Sequence, residues 1–207
     1  MSGTSAWEPR VWPRDAAAAT TLRSWLSEPG ATLYALDLDF RGADLEGAHF
    51  IEAWLSGSDF SGCRLSRSLL WRAHCERTVF TSADLTEIDL VKSFLEEADF
   101  AGARMTGAKL GRAECLRTSF GGADLRRADL GDGLFIACDM KCADLRDAKV
   151  TMAAFGETDF TNARVAGMTG SAVGSIVLTA GAATEELAGA RLEQWFSRNG
   201  AHVSVAD

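Results

Sequence analysis

Every fifth residue from Phe40 to Val165 is apolar, without a break over 26 positions. The series opens Phe40, Leu45, Phe50, Leu55, Phe60 and closes Val150, Phe155, Phe160, Val165. Apolar residues are 47% of the chain, so chance would give such a run with a probability on the order of 10⁻⁹. A second register accompanies it. Two residues before each of these positions stands Ala, Ser, Thr, Cys or Gly in 24 of 26 cases, with Leu38 and Ile88 the exceptions. A period of five fits neither a helix face nor a flat strand. It requires a backbone that turns a corner in each unit and points the same residue inward each time.

The number of corners per turn is also legible. Phe40, Phe60, Phe80, Phe100 and Phe120 recur at intervals of twenty and, after Met140, Phe160 resumes the column. The next column holds Leu45, Leu65, Leu85, Met105, Leu125, Leu145 and Val165. Four units therefore make one coil, with equivalent residues stacked at the β-ladder spacing of ~4.8 Å. The small residues at the second register are needed because the interior is too narrow for two large side chains per unit. Pro9, Pro13 and Pro29 all precede the repeats, as a backbone that uses its N–H groups for stacking requires. Eight glycines from Gly42 to Gly167 fall two residues after the large apolar position, where a corner calls for positive φ.

The units Ala43-Asp44-Leu45, Ala83-Asp84-Leu85, Ala98-Asp99-Phe100, Ala123-Asp124-Leu125, Ala128-Asp129-Leu130 and Ala143-Asp144-Leu145 resemble the repeat of the pentapeptide-repeat family. That resemblance implies an all-β fold, a right-handed quadrilateral β-helix. Residues 38–167 would form the solenoid, about 31 Å long at the ladder spacing. Residues 1–37 and 168–207 would form short helical caps, since a stack of open coils exposes an apolar end and unpaired edges. Asp15 is placed to N-cap a helix from about Ala16 to Ser27, with Leu22, Trp25 and Leu26 on one side. At the other end Ser175–Thr179 reads as a strand, 184–199 as a helix closed by Gly200, and Ala201–Val205 as a strand-like end. The stretch from Leu192 to Val205 is similar to the C-termini of the quinolone-resistance members, which bind DNA gyrase and dimerise through this end. The resemblance thus implies a homodimer interface of Leu187, Leu192, Trp195 and Phe196.

No catalytic, metal or cofactor-binding constellation is evident, and the expectation is a protein that is not an enzyme. His49 and His74 stand one before the large apolar position, pointing outward, with no partner for nucleophilic work evident in the sequence. The five cysteines contain no CxxC pair, which fits reduced thiols and a cytoplasmic location. No basic start followed by an apolar run suggests secretion, and no segment is long and apolar enough for a membrane helix. A net charge of −8 argues against direct binding of nucleic acid.

Charge grouped by face is more informative. The face of the Phe column carries Asp39, Asp59, Asp99, Asp139 and Asp159 against Arg41 and Lys141. The face before it carries Glu76, Glu96, Glu97, Glu114 and Glu157 against Arg77 and Arg117. These two adjacent faces total −6, and the other two total +1. An acidic rod of this kind suits a basic DNA-binding channel. The magnitude is modest: 31 Å of duplex holds about 18 charges. Apolar residues at outward positions form a second candidate surface: Trp54, Leu69, Trp71, Phe94, Leu134 and Ile136, with Ile51, Val91 and Leu116 nearby. Such a patch marks a contact surface unless the N-terminal segment folds back over it. Two functions follow as expectations. One is binding to DNA gyrase by partial DNA mimicry, protecting the enzyme from inhibitors; the other is an adaptor that docks a protein through the Trp and aliphatic patch.

Overall fold

Residues twenty apart pair in parallel bridges, Asp39 with Asp59, Asp44 with Arg64, His49 with Leu69 and Trp54 with His74. Each coil makes four such bridges, one per face; the faces are numbered first to fourth in that order. The computed structural model describes residues 7–206, and expectations for residues 1–6 and 207 lie outside them. Two backbone hydrogen bonds secure each step: on the first face the Phe60 N–H donates to the Val79 carbonyl at 2.7 Å and the Val79 N–H to that of Ser58 at 2.9 Å. The chain is thus a four-faced β-solenoid.

All 26 large apolar residues of the five-residue register are buried. Phe40 and Phe60 stack with centroids 4.5 Å apart and planes 1° from parallel, and the column continues through Phe80, Phe100 and Phe120 at 4.9–5.4 Å. Where Met140 replaces Phe, Phe120 instead meets Phe135 at 6.3 Å, tilted by 58°. The small register is buried too, apart from the partly buried Leu38 and Ala163. All its hydroxyls but that of Ser93, which donates to the Leu90 carbonyl, are satisfied in one repeating way. Ser58, Ser68, Thr78, Thr118 and Thr158 each donate to the carbonyl 23 residues earlier, at 2.6–3.0 Å. These bonds remove the penalty of burying a hydroxyl.

Positive φ occurs at every corner from 37 to 167, at all eight glycines and at nineteen other residues, from Asp37 to Asn162. A non-glycine residue there costs about 1 kcal/mol or more. It persists because the ladders on either side determine the path of the backbone.

At the N-terminal end, helix α1 (Ala16–Leu26) starts at Asp15, whose carboxylate accepts the Ala18 N–H at 2.8 Å. Leu22 is buried in the solenoid core, and Trp7 and Trp25 lie 5.9 and 5.6 Å from the Phe50 ring. Val11 bridges Asp44 antiparallel, taking the place a preceding coil would occupy on the second face. Glu46, whose side chain is 5% exposed, ties this segment down by ion pairs with Arg10, Arg64 and Arg67.

Single bridges lengthen into strands towards the other end: β1 (Glu114–Leu116), β2 (Leu134–Ile136), β3 (Ala153–Asp159) and β4 (Thr169–Ala180), paired in parallel in that order. A register shift between Phe155 and Thr158 ends the strict period. β5 (Ala183–Ala188) pairs antiparallel with β4, and β6 (His202–Ala206) pairs parallel with its first half. Helix α2 (Gly189–Arg198) lies between β5 and β6 in the chain. This corrects the expected helix of 184–199. Thr184-Glu-Glu-Leu187 has helix-start character, but pairing with β4 sets Leu187 against Ile176, both buried, and prevails over local propensity.

Candidate functional site

The fourth face carries an aromatic ladder. Tyr34, Trp54, His74 and Phe94 are successive bridge partners, and their rings stack at 6.2, 3.9 and 4.7 Å within 21° of parallel. The coil spacing places them so, because residues twenty apart point the same way at the distance at which flat rings stack. Tyr34 is 64% and Trp54 40% exposed. Trp7 and Trp25 pack on Phe50, and the ladder is exposed at Tyr34 and Trp54 and half-buried at His74 and Phe94. Glu114 follows Phe94 in the ladder, then Leu134. His74 Nδ1 lies 3.2 Å from Glu76 Oε1, and Glu76 also accepts from the Ser56 hydroxyl at 2.6 Å.

The apolar patch expected from the sequence spans the corner between the third and fourth faces. Trp54, Phe94, Leu134 and Ile136 belong to the fourth face, while Leu69 and Trp71 lie across a charged corner on the third. Trp71 is occupied there by Arg72 and Lys92, 5.5 and 5.7 Å from its ring centroid. Tyr34 and His74 belong to the surface and were not anticipated. Tyr34 precedes the first complete unit, and His74 shows its role only once twenty-residue columns are read outward as well as inward.

Asp39, Asp59, Asp99, Asp139 and Asp159 share one ladder on the first face, interrupted by Val79 and Ser119. Glu76 and Glu96 occupy one column of the fourth face, with Glu97 and Glu157 on the corner that joins it to the first. Much of this charge is compensated. Arg41 pairs with Asp39 and Asp59, Lys141 with Asp139 and Asp159, and Arg117 with Glu96 and Glu97. Among the described residues Asp99, Glu114 and Glu157 have no basic group within ion-pair distance.

The aspartates also have a structural task. Eleven stand just before a large apolar residue, and every one accepts the backbone N–H two residues on. Each closes the corner that follows with an Asx turn. The Arg126 guanidinium beside Asp124 lowers its pKa to about 2, and Arg146 lowers that of Asp144 in the same way. Arg41 holds Asp39 below the usual carboxylate range. Depressed folded pKa values contribute stability above the unfolded value near 4 and lose it as pH falls towards 2. Thermal stability should therefore hold from neutral pH to about 5 and drop between about 4 and 2. Asp124→Asn keeps an acceptor for the turn but not the Arg126 pair, so its melting temperature should start lower and fall less steeply over that range.

The residues expected at a dimer interface are mostly buried within the chain. Leu192 and Phe196 are fully buried and Leu187 nearly so, and Trp195 stands edge-on to Phe160 at 6.2 Å. The apolar side of α2 is used on the last coil, leaving Arg191, Glu193, Gln194 and Arg198 outward. Cys63, Cys75, Cys115 and Cys138 are buried, with burial pushing Cys63 up to about 12 and Cys138 to about 11. Cys142 is exposed on its corner. Among the described residues no group of three or more His, Cys, Asp or Glu is placed to hold a metal ion, and no helix is long and apolar enough to cross a membrane.

Comparison with known families places this geometry. The model described as pentapeptide repeats matches in eight copies, among them residues 37–62, 58–96, 80–114 and 98–132. The chain belongs to the pentapeptide-repeat family. Pentapeptide-repeat structures similar to it include HetL from the cyanobacterium Nostoc sp. strain PCC 7120, described as involved in heterocyst differentiation regulation. HetL is 28% identical, with TM-score 0.40, over 73% of this chain and 79% of that one. QnrB1, a plasmid-mediated fluoroquinolone resistance protein, is 17% identical in a trypsin-treated variant, with TM-score 0.49, over 69% and 80%. A thylakoid-lumen pentapeptide repeat protein of Arabidopsis thaliana is 26% identical, with TM-score 0.29, over 45% and 61%. No curated protein matches the chain.

Proposed function

We propose that this pentapeptide-repeat protein acts without catalysis, as a scaffold that docks a protein partner on the fourth face. The ladder of Tyr34, Trp54, His74 and Phe94, exposed at Tyr34 and Trp54 and half-buried at His74 and Phe94, carries this reading. Aromatic side chains held rigid by their own stacking lose little conformational entropy on binding. Glu114, unpaired at the end of the ladder, suits a partner that presents Lys or Arg beside apolar side chains.

A photo-reactive residue at position 36, beside the ladder, would capture the partner for identification and titration. Trp54→Ala should weaken that complex at least about tenfold, and Asp99→Asn less than about twofold. Affinity should change little between low and high salt. Strong dependence on the acids and on salt, with Trp54→Ala neutral, would overturn the proposal.

A second reading is binding to DNA gyrase by partial DNA mimicry, with protection from inhibitors. The regularly spaced carboxylates of the first face support it. Supercoiling assays with and without a gyrase poison test it directly. A protective effect that fades with added salt and with Asp99→Asn would favour mimicry over the aromatic face.

A further inference from the structure

The start of the solenoid holds a recess of about 480 Å³, lined by Trp7, Trp25, Pro29, His49, Ile51 and Glu28 among others. Its size is that of a small-molecule site. The two indoles form an angle of 62° with centroids 6.4 Å apart, and both rest against the buried Phe50 ring. A core side chain thus supports the aromatic walls from beneath.

Both indole N–H groups are already used. That of Trp7 donates to the Glu46 carbonyl and that of Trp25 to the Ala31 carbonyl, each at 2.9 Å. The rings therefore offer π surface to the recess and no hydrogen-bond donor. No Lys or Arg lines it. Glu28 lies at its exposed rim, and none of the ion pairs among the described residues involves it. Two indoles and a carboxylate, with no Lys or Arg among the lining residues, are the chemistry that holds a weakly hydrated positive charge. The chain's net charge of −8 draws such a ligand in.

We propose that this recess binds a small organic monocation with an apolar shell, of the quaternary-ammonium class. It shares no residue with the aromatic ladder, so it stands whether or not a partner docks on the fourth face.

Choline and its uncharged isostere 3,3-dimethyl-1-butanol differ almost only in charge, and both can be titrated into the full chain. The readouts are calorimetry and the indole N–H resonances. Choline should shift the Trp7 and Trp25 signals and bind about 5- to 30-fold more tightly than the isostere. Glu28→Gln, on an exposed side chain, should weaken choline about threefold or more with an unchanged melting temperature. Trp7→Leu keeps an apolar wall without the larger π surface and should weaken choline more than it weakens the isostere. Equal affinity for the two probes would overturn the proposal. So would silence of both indoles up to about 50 mM choline, or shifts confined to Trp54 and Trp71.

Discussion

Phe100→Ala should cost about 3–5 kcal/mol in an equilibrium unfolding experiment. Phe100 is fully buried and sandwiched between Phe80 at 4.9 Å and Phe120 at 5.2 Å, with planes within 7° of both. Its removal leaves a void that the neighbours cannot fill, because the bridges of Asp99 with Val79 and Ser119 hold the backbone of the adjoining coils. Phe100→Leu should cost far less, under about 2 kcal/mol. Met140 already occupies this column without breaking the stack of coils. A loss below about 1 kcal/mol for the alanine variant would show that the coils collapse together, and that the column is a filling rather than a support.

Gly174→Ala should lower stability by about 3 kcal/mol or more and disturb the C-terminal end first. Gly174 has φ +93° and pairs with Phe155 where β4 changes register against β3. A Cβ there would lie 1.9 Å from the Phe155 carbonyl oxygen and 3.0 Å from its carbon, both main-chain atoms that cannot rotate aside. Gly181 is the control. Its φ is +63° but a Cβ would meet nothing within 4 Å, so Gly181→Ala carries the conformational strain alone, about 1 kcal/mol. The emission of Trp195, edge-on to Phe160, should report the loosening in the first variant and not in the second. Equal effects of the two substitutions would mean that backbone strain, and not the close approach, governs the site.

The inward half of this molecule was legible because burial enforces it. A side chain that points into a narrow solenoid every fifth residue has no alternative environment, and Phe40 to Val165 occupy the positions the count assigned. The outward half was less legible. Counting Asp39 and its counterparts against Arg41 and Lys141 gives a net acidic face, but does not show that each aspartate closes a corner or which pairs form. Those contacts depend on side-chain reach around a turn, which spacing alone does not supply. Trp54 and Trp71 stand on the two faces that flank one corner, and spacing does not show that Arg72 and Lys92 cover the Trp71 ring there. At the C-terminal end, Leu187, Leu192 and Phe196 have an apolar pattern that serves a cap or a dimer equally well. Only their contact with the last coil distinguishes the two.

The twenty-residue coil makes this chain sensitive to the arithmetic of insertions and deletions. Excision of one complete coil, such as residues 100–119, joins Asp99 to Phe120 and keeps every later column on its original face. The product is a shorter rod with its surfaces still aligned. Excision of five residues also keeps the interior apolar, but turns everything after the cut by a quarter. The ladder of Tyr34 to Phe94 would then run into residues that had faced another side. Length in this protein can be edited by the coil, whereas any smaller multiple of five preserves the core and scrambles the surface.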